Sequence, residues 1–92
     1  MTTTMNRLRR RTLIEGVLAA IELLQPTSDI EVARWTYWPR ASVRAARGRL
    51  MAKDLVVRIK SSSYIRGYAF ATTVAGRRAL RLARTVGRRV TQ

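Results

Sequence analysis

Apolar residues recur at steps of three and four through residues 6–25, at Leu13, Ile14, Val17, Leu18, Ile21 and Leu24. That period predicts an amphipathic helix, which Pro26 stops. Residues 1–6 are read as a disordered tail ahead of it. Arg7, Arg9, Arg10 and Arg11 load the start of the helix with positive charge, against its dipole. In "PTSDIEVARWT" a capping box follows: the Ser28 hydroxyl can accept from the Glu31 amide, and the Glu31 carboxylate can reach back. A short helix is expected over 29–36, with Ile30, Val32 and Ala33 facing inward. Pro39 forces Trp38 out of helical geometry and suits the first position of another helix. Over 40–53, Val43, Ala46 and Leu50 fall on one side. The other side carries Ala41, Arg44, Ala45 and Gly48 between Arg40 and Arg49, with Arg47 on the border.

Past Asp54, a turn residue, the period shortens. "LVVRIK" and "YAFAT" are β-branched and aromatic, and "SSSYIRG" separates them. They predict a β-hairpin over about residues 55–72 with a basic tip, in which Lys60 and Arg66 frame Tyr64 and Ile65. A threonine-capped helix closes the chain. It places Ala79, Leu82, Ala83, Val86 and Val90 on one side and Arg77, Arg81, Arg84 and Arg88 on the other. The fold class is α+β, mainly α: three helices, a hairpin and a C-terminal helix in one domain over residues 1–92.

Charge changes the picture most. Nineteen Lys+Arg face five Asp+Glu, a formal +14 on 92 residues, and seventeen of the nineteen are arginine. Such a chain repels itself unless an anionic partner is near. Nucleic acid ranks first because phosphate neutralisation releases condensed counterions, and an anionic membrane surface ranks second. The arginine excess leans toward phosphates and base edges, where a planar guanidinium bonds two acceptors. With no cysteine or histidine, disulfides, thiolate chemistry and the usual zinc sites are excluded. Five scattered carboxylates form no acid–base pair, and Ser61 to Ser63 have no base to activate them. No enzyme activity, metal, cofactor or small-molecule ligand is expected. No apolar run approaches a membrane span, so the expected location is cytoplasmic.

Helix, short helix, turn, helix, hairpin, helix is the plan of a winged helix-turn-helix domain. Ala33 stands ten residues before Val43, Val43 seven before Leu50, and Leu50 four before Asp54. That spacing, with "VARWTYWPRASVRAARGRLMAKDLV" and then "YAFATTVAGRRAL", resembles the MarR/PadR-like winged-helix regulators over about residues 30–80. Thr73 and Gly76 occupy the places of that family's "T-x-x-G-R-R-A-L". Asp54 stands where the family usually has glycine, and it visits left-handed geometry more easily than most residues.

The resemblance implies double-stranded DNA as partner, bound by a homodimer that forms through the first helix, the last helix, or both. It implies a repressor at a palindromic site, with residues 40–53 in the major groove and the wing on the backbone or minor groove. Arg44 becomes the candidate for a guanine edge, Arg40 and Ser42 for phosphates or bases, and Arg47 and Arg49 for flanking phosphates. Ala41, Ala45 and Gly48 give clearance; Lys60, Tyr64 and Arg66 serve in the wing, with Arg66 directed to the minor groove. Two rivals stand beside this: non-specific coating of nucleoid DNA, and RNA binding. RNA-binding proteins stack exposed aromatics on unpaired bases, and Tyr64 is the one such candidate here. Taken singly, each arginine also fits a solvated face, and each alanine a good helix former.

Overall fold

The structure, a computed structural model, describes the backbone of residues 2–61, 63–64 and 67–91 and the side chains of 13–61, 63–64 and 67–83. Its elements are α1 (Thr2–Leu24), α2 (Asp29–Thr36), α3 (Arg40–Ala52), β1 (Val56–Lys60), β2 (Tyr68–Thr72) and α4 (Val74–Thr91). Helix α1 starts earlier than its apolar pattern, and residues 2–6 are helical where a disordered tail is expected. No proline or glycine precedes Gly16, so a helix nucleated on the packed segment propagates outward. Arg7 to Arg11 therefore stand beyond the first turn, where opposition to the helix dipole has largely faded.

Val17, Leu18, Ala20 and Ile21 of α1 are buried against Val32 of α2, Val43, Ala46 and Leu50 of α3, Val56 and Phe70 of the hairpin and Leu80 of α4. Each fully buried aliphatic contributes about 1.5–3 kcal/mol. Trp38 lies across α1 at Gly16, where a Cβ would overlap the indole ring. Two inward expectations are corrected. Ile30 is 41% exposed, because it projects about 160° away from buried Val32 on the same helix. Leu82 is 62% exposed; α4 faces the core with Gly76 and Leu80, and Leu82 projects well away from that row. Arg77 and Arg81 are exposed as expected, while the side chains of Arg84, Val86, Arg88 and Val90 lie outside the described residues.

Local signals explain the helix ends. Ser28 is the N-cap of α2 and its Oγ accepts from the Glu31 amide at 3.3 Å. The Glu31 carboxylate accepts from the Ser28 hydroxyl at 3.4 Å, so this contact replaces the expected reach to the backbone. Asp54 adopts φ 58, the left-handed geometry that its place in the turn requires. Thr73 locks α4 onto that turn: its hydroxyl donates to the Asp54 carbonyl at 2.7 Å and accepts from the Gly76 amide at 3.0 Å. A Cβ on Gly76 would collide with the Leu55 carbonyl. The "T-x-x-G" spacing is thus a docking joint between the fourth helix and the entry to the wing.

Strands β1 and β2 pair antiparallel from Val56 opposite Thr72 to Lys60 opposite Tyr68. Residues 25–27 add an anchor that the sequence does not announce. Thr27 exchanges backbone hydrogen bonds of 3.1 and 2.7 Å with Phe70, and the Gln25 side-chain oxygen accepts from the Thr72 amide and hydroxyl at 2.9 and 3.0 Å. The hairpin is thereby tied to the α1–α2 connection.

Candidate nucleic-acid interface

Helix α3 buries Val43, Ala46 and Leu50, and that row fixes what it shows to solvent. Arg40, Ala41, Arg44, Ala45 and Gly48 all point outward and, with Arg47, line one open concavity. Ser42 and Arg49 turn the other way, sharing a groove against α1 with Leu13, Ile14, Ala45 and Ala46. The structure therefore gathers Arg40, Arg44, Ala45, Arg47 and Gly48 on one side and sets Ser42 and Arg49 at its margin.

Arg47 has a partner within the fold. Its Nε and a terminal nitrogen donate to the two carboxylate oxygens of Asp29 at 3.1 and 2.8 Å, and its guanidinium carbon lies 4.2 Å from the Phe70 ring centre. Both partners of the ion pair are mostly buried, at 17% and 15% side-chain exposure. Hydrogen bonding to Asp29 raises the Arg47 pKa further above its ordinary value, with burial opposing. One side chain thus joins α3 to α2 and to the wing, and its cation is already matched. The exposed cations of this face are Arg40 and Arg44, with Arg49 at its edge.

In the wing, Lys60 is exposed and Arg66 lies outside the described residues. Tyr64 is half-buried, and its hydroxyl donates to the Pro26 carbonyl at 2.7 Å. Burial and then the neighbouring Glu31 carboxylate raise its pKa above the ordinary phenol range. Tyr64 is therefore a brace for the wing loop, a correction to its reading as the exposed aromatic. That description belongs to Trp35 and Tyr37, 55% and 93% exposed. Arg34 and Arg58, to which the sequence reading gives no role, are both exposed. Arg58 extends over the Tyr68 ring at 5.1 Å; strand alternation puts it on the face of buried Val56, so its exposure was not legible from that pattern. For Arg34 and Tyr37 the available signal was the carboxylate-free run over residues 32–53.

The sequence matches no family model and no curated protein. Solved structures do match. A transcriptional regulator, BldR from Sulfolobus solfataricus, is 30% identical with a TM-score of 0.73, over 86% of this chain and 56% of that one. The MarR-family transcription regulator SP03579 has a TM-score of 0.79 at 13% identity, covering 91% and 57%. BpsR of Bordetella bronchiseptica, whose DNA binding is regulated by 6-hydroxynicotinic acid, reaches 0.75 at 24% identity, covering 87% and 57%. The chain spans little more than half the length of each of these proteins. Its fold is the winged helix-turn-helix seen in MarR-family transcription regulators.

Proposed function

We propose that the chain is a sequence-specific, double-stranded DNA-binding protein, a transcriptional repressor that binds a palindromic site as a homodimer. Helix α3 enters the major groove and the hairpin lies on the backbone or in the minor groove. One observation carries this reading. Gly48 lies inside α3, where glycine is costly, yet a Cβ there would meet nothing within 4 Å. Among the described residues nothing requires a glycine at this place. A surface pressed closely against α3 does, and the arginines around Gly48 make that surface anionic. Arg44 then reads a base edge, Arg40 and Arg49 hold phosphates, Ser42 contacts the backbone at the margin, and Lys60 and Arg66 serve in the wing. Arg47 serves by holding α3 in place, its guanidinium nitrogens being engaged by Asp29 and by the Met51 sulfur.

Exposed Leu23 and Leu82, 65% and 62% accessible, supply apolar surface on α1 and α4 for a second copy. Two copies would present two α3 helices to a two-fold site.

The test is selection from a pool of random duplexes with RNA as competitor, at moderate and high salt. A recovered palindrome supports the proposal. Uniform binding that disappears at high salt identifies a coating protein, and preference for RNA overturns both. Against the recovered site, Arg44→Ala is expected to relax one base position by about 1–3 kcal/mol, whereas Arg78→Ala on α4 leaves the preference unchanged.

A further inference from the structure

Tyr37 combines two features that conflict within the isolated chain. Its backbone is left-handed, φ 63 and ψ 14, and its amide closes α2 by donating to the Ala33 carbonyl at 2.9 Å. Glycine or asparagine terminates a helix this way with little strain; a bulky tyrosine does not. Its side chain is 93% exposed, so packing returns almost nothing. A strained residue that gains nothing inside the fold is retained for what it does outside it.

Its surroundings indicate the partner. Trp38, the next residue, turns inward over Gly16, which leaves Tyr37 directed away from the core. Arg34, on the last turn of α2, and Arg40, the first residue of α3, flank it, and both are exposed. Trp35 is beside it at 55% exposure. No carboxylate occurs anywhere in residues 32–53. Arg34 and Arg40 make this edge cationic and Trp35 and Tyr37 make it aromatic; Arg40 also lines the Arg44–Gly48 concavity and, on its other side, a hollow with Asp29 and Glu31.

We infer that Tyr37 is a contact to the sugar–phosphate backbone at the flank of the DNA site, its hydroxyl donating to a phosphate oxygen and its ring lying on a deoxyribose. The inference rests on the duplex-binding reading above and adds a residue and a role to it. The contact fixes register along the duplex and carries no base preference. Because the phenol is neutral, its loss weakens binding without changing the salt dependence, unlike the loss of a phosphate-bound arginine.

The experiment measures thermal unfolding and duplex affinity, at several salt concentrations, for the full chain and for Tyr37→Gly, Tyr37→Asn and Tyr37→Phe. The glycine and asparagine variants are expected to unfold at the same temperature as the parent or higher. Their affinity for the selected duplex should fall about tenfold, the worth of a hydrogen bond to a charged group, with the preferred motif and salt slope unchanged. Tyr37→Phe, which removes the hydroxyl alone, should show the greater part of that fall. Arg40→Ala, in contrast, should lower the salt slope by about one. Folded Tyr37→Gly and Tyr37→Asn variants with parental affinity overturn the Tyr37 contact alone. A parent chain that binds no duplex, or that prefers RNA, overturns the contact together with the function it rests on.

Discussion

Gly48 and Gly76 are both glycines inside helices, and they are there for opposite reasons. At Gly76 the demand is internal: its missing Cβ lets α4 rest on the Leu55 carbonyl. Gly76→Ala is expected to separate α4 from the wing entry and to destabilise the chain by about 1–3 kcal/mol, the usual range for overpacking, visible as a lower unfolding temperature by circular dichroism. At Gly48 the space is open, so Gly48→Ala should stabilise α3 by about 0.5–1 kcal/mol. Asp54 stands between these cases. Its φ of 58 suits glycine better, and Asp54→Gly should leave the unfolding temperature unchanged or raise it slightly, since the Thr73 hydroxyl bonds to the backbone carbonyl there and not to the side chain.

At the scale of elements, the joint between α2, α3 and the hairpin depends on Arg47. Its bidentate bonds to Asp29 and its place over Phe70 couple three elements through one guanidinium. A double-mutant cycle of Arg47→Ala and Asp29→Ala in chemical denaturation is expected to give a coupling energy of about 1–2 kcal/mol, well above that of an exposed pair. Coupling near zero would mean that the pair holds nothing together. This joint also marks how far the sequence could be read. Ser28, Pro39 and the row Val43, Ala46, Leu50 announce α2 and α3 because caps and helical periods are local. Asp29 and Arg47 are eighteen residues apart, and Thr27 and Phe70 meet across two helices and a strand. No period connects such pairs. The outward face of α3 was legible for the same reason as its inward one, whereas the roles of Arg47 and Tyr64 were not, because each is set by a partner distant in sequence. Tyr37 was illegible for another reason: nothing in its neighbours announces a left-handed residue.

Over the whole molecule, Arg40, Arg44 and Arg49 are exposed on α3 and Arg58 on the wing. Leu23, Leu82 and Val74 expose apolar area on α1 and α4, beside the exposed Arg77 and Arg81. The proposed homodimer forms on that second surface. Leu82→Glu is expected to shift the chain from dimer to monomer in sedimentation equilibrium, with its helical content preserved. A parent chain that sediments as a monomer at all concentrations contradicts the dimer. With a formal charge of +14, binding of any duplex should weaken steeply with salt. Salt dependence alone therefore cannot separate a regulator from a coating protein, and the geometry of α3 has to do so. The most direct measurement is the affinity of Gly48→Leu for the selected duplex, made beside its thermal unfolding. Leucine is a good helix former, and a Cβ at this position meets nothing within 4 Å in the free chain. Parental or higher thermal stability is expected, together with a loss of specific affinity of at least about tenfold, equivalent to about 1.4 kcal/mol. A stable Gly48→Leu variant that binds the selected duplex as tightly as the parent would contradict the placement of α3 in the groove.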